Sequence, residues 1–319
     1  MATQLGSLKR VRGMPGLIVD GFAFQDEHAA SYILTHFHGD HTVGLSSGFK
    51  GAPIYCSPIT AACAQRLIGV RTDLLRAVPL ETPTRIPLAD GAEAELVFLD
   101  ANHCPGAVMA HLRHLQTGHT VLHTGDFRGA EVVRDNPTLR RLLTQRAVDD
   151  LYLDTTYCHP SRTFPPQPEA LASMQTIVRS ELEREPQTLF LVGSYSVGKE
   201  RAIRAVAEAA QARAKVSEHR AQTLELCECW DDAVFELDLD DEDEDGDGDK
   251  AAPEAASDIG RGGDGGASSS DPAVASTSSL GGGCGVRVVS LMAAGATQHD
   301  SMLRLIEREG GGRRWRAVV

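Results

Sequence analysis

Hydrophobic residues come in short bursts along this chain rather than in long blocks. "LIVDGF", "SYILT", "APIYC", "AELVFLD", "HTVLHTG", "DDLYLD", "TLFLVG" and "VRVVSLM" are short apolar runs, and each predicts a strand. Helical spacing lies between them. In "EALASMQTIVRSELERE" Leu171, Met174, Val178 and Leu182 share one face, and "SPITAACAQRLIG" offers Ser57 as N-cap with Pro58 in the first turn. Strands alternating with helices predict an α/β chain with mixed sheets, and no internal repeat is seen. No apolar stretch approaches the ~20 residues of a membrane span. The opening "MATQLGSLKRVRGM" lacks the apolar core of a secretory signal, so no membrane association is expected.

The pattern breaks at Asp231. Residues 231–249, "DDAVFELDLDDEDEDGDGD", hold twelve acids and no base, and a Gly/Ser-rich stretch without apolar period follows. Residues 231–285 therefore read as a disordered insert. Asp241, Asp243, Asp245 and Gly246 imitate the start of a calcium loop, but Ala252 stands where a bidentate Glu is needed. A solvated acidic linker is the expectation. Its weight on the charge is large: taking those twelve acids from the formal −13 leaves −1 for the rest, so the pI says little about a binding surface. The 319 residues suffice for two domains, and seven scattered cysteines argue for reduced thiols rather than a disulfide framework.

Candidate chemistry concentrates in "ILTHFHGDHTVGL". Imidazole and carboxylate are good zinc ligands, and zinc needs about four at ~2.0–2.2 Å. In an extended segment His36 and His38 face the same way while Phe37 points into the core. Asp40 and His41 then fall at a turn, aimed at a neighbouring position, so one loop can serve two adjacent metals. Other strand ends add to this: "ELVFLDANHCPGA" delivers His103, "TVLHTGDFR" delivers Asp126, and "LIVDGF" and "LYLDTTY" offer Asp20 and Asp154. A lone histidine beside a strand is usually a satisfied core or surface residue, and that bland reading holds for His28, His111, His114, His119, His159, His219 and His299. Ligand-type residues at four or five strand ends are a different matter, since loops at one sheet edge commonly build active sites.

Together "HFHGDH", "DANHCPGAV", "LHTGDFR", "LYLDTTYC" and "GSYSVGKE" resemble the metallo-β-lactamase-fold nucleases with a β-CASP insertion, specifically the DNA interstrand cross-link repair group related to Apollo and Artemis. The likeness covers roughly residues 10–230 and 286–319. It implies an αββα metallo-β-lactamase sandwich over 10–160 and a β-CASP-like α/β domain over 161–319, interrupted by the insert. It further implies that His36, His38 and His103 hold one Zn²⁺, that Asp126 bridges to a second held by Asp40 and His41, that Asp20 orients ligands from behind, and that Asp154 is the acidic residue of the first β-CASP motif. Asp40, Asp126 and Asp154 are the expected catalytic carboxylates. Two cations a few Å apart make a hydroxide nucleophilic and stabilise charge on a phosphoryl group, which suits phosphodiester hydrolysis.

"TLFLVGSYSVGKERAIRAVAEAA" reads as strand, glycine-bearing loop and helix. Gly193, Gly198 and Lys199 have P-loop spacing, but Glu200 replaces the Ser or Thr that would bind Mg²⁺, so no nucleotide cofactor is expected. A helix start still favours phosphate, and the resemblance implies that Ser194, Ser196 and Lys199 receive the 5′-phosphate of DNA. The expected function is a zinc-dependent 5′-to-3′ DNA exonuclease of cross-link or double-strand-break repair, placed in the nucleus by that role. An RNA endonuclease, a small-molecule hydrolase and a non-catalytic binding scaffold stay open. The chain stops at "GGGRRWRAVV", at what reads as the start of a buried strand. The resemblance implies further lactamase strands and one more zinc-binding histidine beyond it, so a fragment or a shortened, silent form is also expected as an alternative.

Overall fold

A computed structural model describes residues 9–24, 26–238, 285–290 and 315–318. The EF-hand-like Asp241, Asp243 and Asp245 and most of the predicted insert lie outside the described residues. Among the described residues the chain is a mixed α/β molecule with three sheets. In the first, β1 (Leu17–Val19), β2 (Ser31–Ile33), β3 (Ile54–Cys56) and β4 (Leu75–Ala77) run parallel in sequence order. The second holds β5 (Thr84–Pro87), β6 (Glu93–Asp100), β7 (Val108–His114) and β8 (Thr120–His123), all antiparallel, with β9 (Asp150–Tyr152) parallel at the edge. β10 (Leu189–Ser194), β11 (Ala214–Val216), β12 (Phe235–Leu237), β13 (Gly285–Ser290) and β14 (Trp315–Val318) form a parallel third sheet in the order β12-β11-β13-β10-β14.

The first two sheets pack face to face. Val19, Ile33 and Tyr55 of one meet Leu96, Phe98, Ala110 and Leu112 of the other in a single apolar cluster. Helix α1 (Pro58–Cys63) and the π turn Ala64–Ile68 cover the outer face of the first sheet over Phe22, Tyr32 and Phe49. Short helices α2 (Glu131–Arg134) and α3 (Pro137–Gln145) cover the outer face of the second over Leu99 and Met109. Ser57 caps α1 as its sequence predicts, accepting from the Thr60 amide at 3.2 Å. Around the third sheet lie α4 (Gln167–Arg184), α5 (Glu200–Ala210) and α6 (Glu218–Leu226), with Val178, Ile203, Val206 and Leu224 buried against Phe190 and Val286.

All eight apolar runs form strands, and five further strands are missing from the sequence reading: β4, β5, β7, β11 and β12. The longest, β7, carries His111, Arg113 and His114 inside it, and these polar residues hide a strand that the cross-strand partners nevertheless bury. The predicted insert also starts too early. Residues 231–238 are folded, because Val234 and Phe235 sink into the third core and Phe235 pairs with Ala214. Acidic neighbours conceal that apolar pair.

Candidate metal centre

Strand β2 runs straight into the site. Leu34, Thr35 and His36 continue it fully buried, Thr35 donating its amide to Asp20 Oδ1 at 2.8 Å while its carbonyl accepts from Val108 at 2.9 Å. Asp20 follows β1 with φ 49°, and Asn102 before His103 has φ 52°. Both are left-handed turns that short polar side chains tolerate. Gly125 (φ 52°) leads into Asp126, and a Cβ there would stand 3.0 Å from Thr35 Cβ, so glycine lets the β8 turn press on the His36 strand.

His36 Nε2 lies 3.0 Å from His38 Nδ1, and His103 Nε2 lies 3.2 Å from the same atom. The outer nitrogens of three histidines in the cluster are each engaged. Val197 O, which only accepts, sits 3.0 Å from His38 Nε2 and assigns the His38 proton there. Asp20 Oδ2 accepts from His41 Nδ1 and from Thr35 Oγ1, both at 2.7 Å, and Thr35 Oγ1 in turn accepts from His36 Nδ1 at 3.1 Å. The lone pairs of His36 Nε2 and His38 Nδ1 therefore point at one another, an arrangement that a cation between them makes favourable. Tetrahedral zinc with Zn–N bonds of 2.0–2.1 Å spaces its nitrogens ~3.3 Å apart, close to the 3.0 and 3.2 Å seen. The donor set fits zinc.

Among the described residues two groups could hold a metal ion as ligand groups: His36, His38 and His103; and His36, His41 and Asp126. Asp126 spans them, with Oδ1 3.3 Å from His41 Nε2 and Oδ2 3.8 Å from His103 Nε2. Burial first, then the neighbouring His41 and His38, pushes His36 down to about 3. Burial and His38 push His103 down to about 4. Both are held neutral at pH 7, the form in which an imidazole can bind a metal. Burial opposes charge on His41, yet hydrogen bonds to Asp126 and Asp20 raise it to about 10, and the His41 contact holds Asp126 far below the usual carboxylate range.

The other expected site residues fall differently. Asp40 is in neither group: the turn formed by Thr42 bonding back to His38 and Gly39 aims its side chain outward, 79% exposed, with Oδ2 still 3.5 Å from His41 Nε2. Asp154 accepts from the amide of Phe127 at 3.5 Å and from Thr156, supporting the turn that carries Asp126 from behind. Ser194 is buried and donates to the Tyr195 carbonyl at 3.1 Å, so its hydroxyl faces its own loop. Ser196 is half-buried, and Lys199 (φ 65°) is exposed with Nζ 5.5 Å from the Tyr195 ring centre. Tyr195 in turn lies 5.9 Å from the His38 ring, which brings the loop 194–199 to the histidine cluster. Glu200, where a P-loop has Ser or Thr, accepts from the Gly198 amide at 2.8 Å. Thr35 and the Val197 carbonyl were missed in the sequence reading. Adjacency to His36 could have suggested Thr35; a backbone carbonyl leaves no signal.

No family model matches the chain. It is 37% identical to DNA cross-link repair protein SNM1 of Arabidopsis thaliana over 225 residues, 70% of this chain and 44% of that protein. Identity to human DNA cross-link repair 1A protein is 38% over 219 residues, 68% of this chain and 20% of the relative. To the chicken 5′ exonuclease Apollo it is 41% over 172 residues, 54% of this chain and 34% of the relative. The chain thus spans less than half the length of each of these three relatives.

Proposed function

We propose that this chain, which belongs to the DNA cross-link repair group over the residues it shares with those proteins, carries the metal centre of a zinc-dependent 5′-to-3′ DNA exonuclease on a metallo-β-lactamase fold with a β-CASP lobe. The observation that carries this reading is the convergence of His36, His38, His41, His103 and Asp126 from separate loops onto adjoining ligand groups. His36, His38 and His103 would hold one ion, while His41 and Asp126, with Asp40 at the rim, would hold a second. Zinc in such a place activates water and polarises a phosphoryl oxygen.

The chain's own residues do the rest. Asp20 and Thr35 hold the far nitrogens of His36 and His41, so their ligating faces are set before any ion arrives. The loop 194–199 supplies the edge at which a 5′-phosphate is received, with Lys199 bringing a cation beside Tyr195 and Ser196 a hydroxyl. Ser194, turned inward, supports that loop. Nuclear DNA ends are the substrate this reading implies.

Digestion of a 5′-phosphorylated single strand, its 5′-hydroxyl counterpart and the same sequence as RNA tests it. Chelation, or the double change Asp40→Ala with His41→Ala, is expected to cut DNA digestion at least ~100-fold, and Lys199→Ala to erase the preference for 5′-phosphate. Digestion indifferent to chelation would overturn the metal reading. Preference for the RNA would move the substrate.

A further inference from the structure

The carbonyls of Tyr195, Ser196, Val197 and Gly198 do not face one way. Three of them turn to a single buried side chain on the first turn of α6: Arg220 Nη1 donates to Tyr195 O at 2.7 Å and to Ser196 O, and Nη2 donates to Gly198 O and to Glu200 Oε1, both at 3.0 Å. Val197 alone turns its carbonyl away, onto His38 Nε2 at 3.0 Å. Arg220 is 7% exposed and its helix start is fixed, Ser217 accepting from the Arg220 amide at 3.3 Å. A planar guanidinium with five donors in a rigid fork can hold several carbonyls at once, which a hydrophobic residue cannot.

Such a residue is far from the ligand groups in sequence and touches none of them. Its consequence reaches them through the peptide chain. With the carbonyls on both sides of Val197 pinned, the Val197 carbonyl has little freedom to rotate, and the Val197 side chain is itself fully buried in the cluster over the first sheet. The group that Val197 O fixes is the non-ligating nitrogen of His38, and partners of that kind set both tautomer and ring orientation of a metal-binding histidine. Gly198 adds closeness: even a Cβ built there would lie 3.7 Å from His38 Nε2.

We infer that Arg220 is a positioning residue for the metal centre, holding the loop 195–198 so that Val197 O keeps His38 Nδ1 aimed at the ion; this rests on the metal reading above. The test is zinc affinity of the full chain, measured by competition with a chromophoric chelator, in wild type, Arg220→Lys, Arg220→Met, His38→Ala and the Arg220→Met, His38→Ala pair. Arg220→Met is expected to weaken zinc about 10- to 100-fold, and Arg220→Lys, which keeps three donors, to recover most of that. In the His38→Ala background the Arg220 change should have no further effect, which a general loss of stability would not reproduce. Should Arg220→Met fail to fold, Arg220→Gln takes its place with the same expectation. Unchanged affinity in the folded variants, or an equal loss with and without His38, would overturn the role of Arg220 alone. A wild-type chain that binds no zinc would overturn the metal reading and this inference with it.

Discussion

Asp20 does three things at once with one carboxylate: Oδ1 accepts the Thr35 amide, and Oδ2 accepts both the Thr35 hydroxyl and His41 Nδ1. Burial alone would favour its neutral form, but the His41 hydrogen bond and charge outweigh it, and Asp20 stays ionised below the usual carboxylate range. Asp20→Asn keeps the shape and, with its oxygen on the Thr35 amide, puts an NH2 where Oδ2 accepted, so the Thr35 hydroxyl and His41 Nδ1 both lose their acceptor. Zinc affinity should fall about 10- to 100-fold with secondary structure unchanged, read by chelator competition beside circular dichroism. Ligand-type residues were legible because metal chemistry restricts them to few side chains at strand ends. Orientation was less so. Asp40 has the right chemistry and neighbourhood, but only the backbone turn decides that its carboxylate points to solvent, and no pattern of residue types encodes that turn.

Strand β7 is where a polar letter misleads about an element. His111 sits between Val97 and Leu122 in the register of the second sheet, 4% exposed, with Nε2 lacking a hydrogen-bond partner. Burial holds its pKa below the ordinary value. At pH above ~6.5 folded and unfolded chains both carry it neutral; below that the unfolded chain takes up a proton the folded one resists, so stability falls as the pH drops. His111→Leu should raise stability at pH 7 by about 1 kcal/mol through loss of an unpartnered buried nitrogen. It should also flatten the decline between pH 6.5 and 5, both seen in urea midpoints. Strands made of uninterrupted apolar residues were legible, since burial on both faces writes itself into composition. Three-residue strands such as β11 and β12, each holding a charged residue at its centre, are formed by their neighbours in the sheet, which lie too far away in sequence for a local pattern to reveal.

Across the whole molecule the third sheet's unit is joined to the first sheet through apolar contacts. Val197 and Cys227 enter the same cluster as Phe22, Tyr32 and Phe49. Val197→Ala leaves a cavity there and should cost ~1–3 kcal/mol of stability in urea unfolding; a loss near zero would mean that this seam contributes little. The seam was illegible in the sequence because its contacts span great distances along the chain, His38 and Val197 being 159 residues apart. The order of strands in the third sheet has a consequence in time as well as in space. Strand β10, from which the loop to His38 departs, is paired on both sides by strands that come later, β13 from Gly285 and β14 from Trp315. On a ribosome adding ~5–20 residues per second, roughly ninety residues separate the end of β10 at Ser194 from Gly285, so β10 waits on the order of 5–20 s for its first neighbour. By then every histidine and aspartate of the ligand groups, all between His36 and Asp126, has been made. During synthesis the ligand groups come first, Arg220 follows, and the sheet from which the His38 loop departs is completed last.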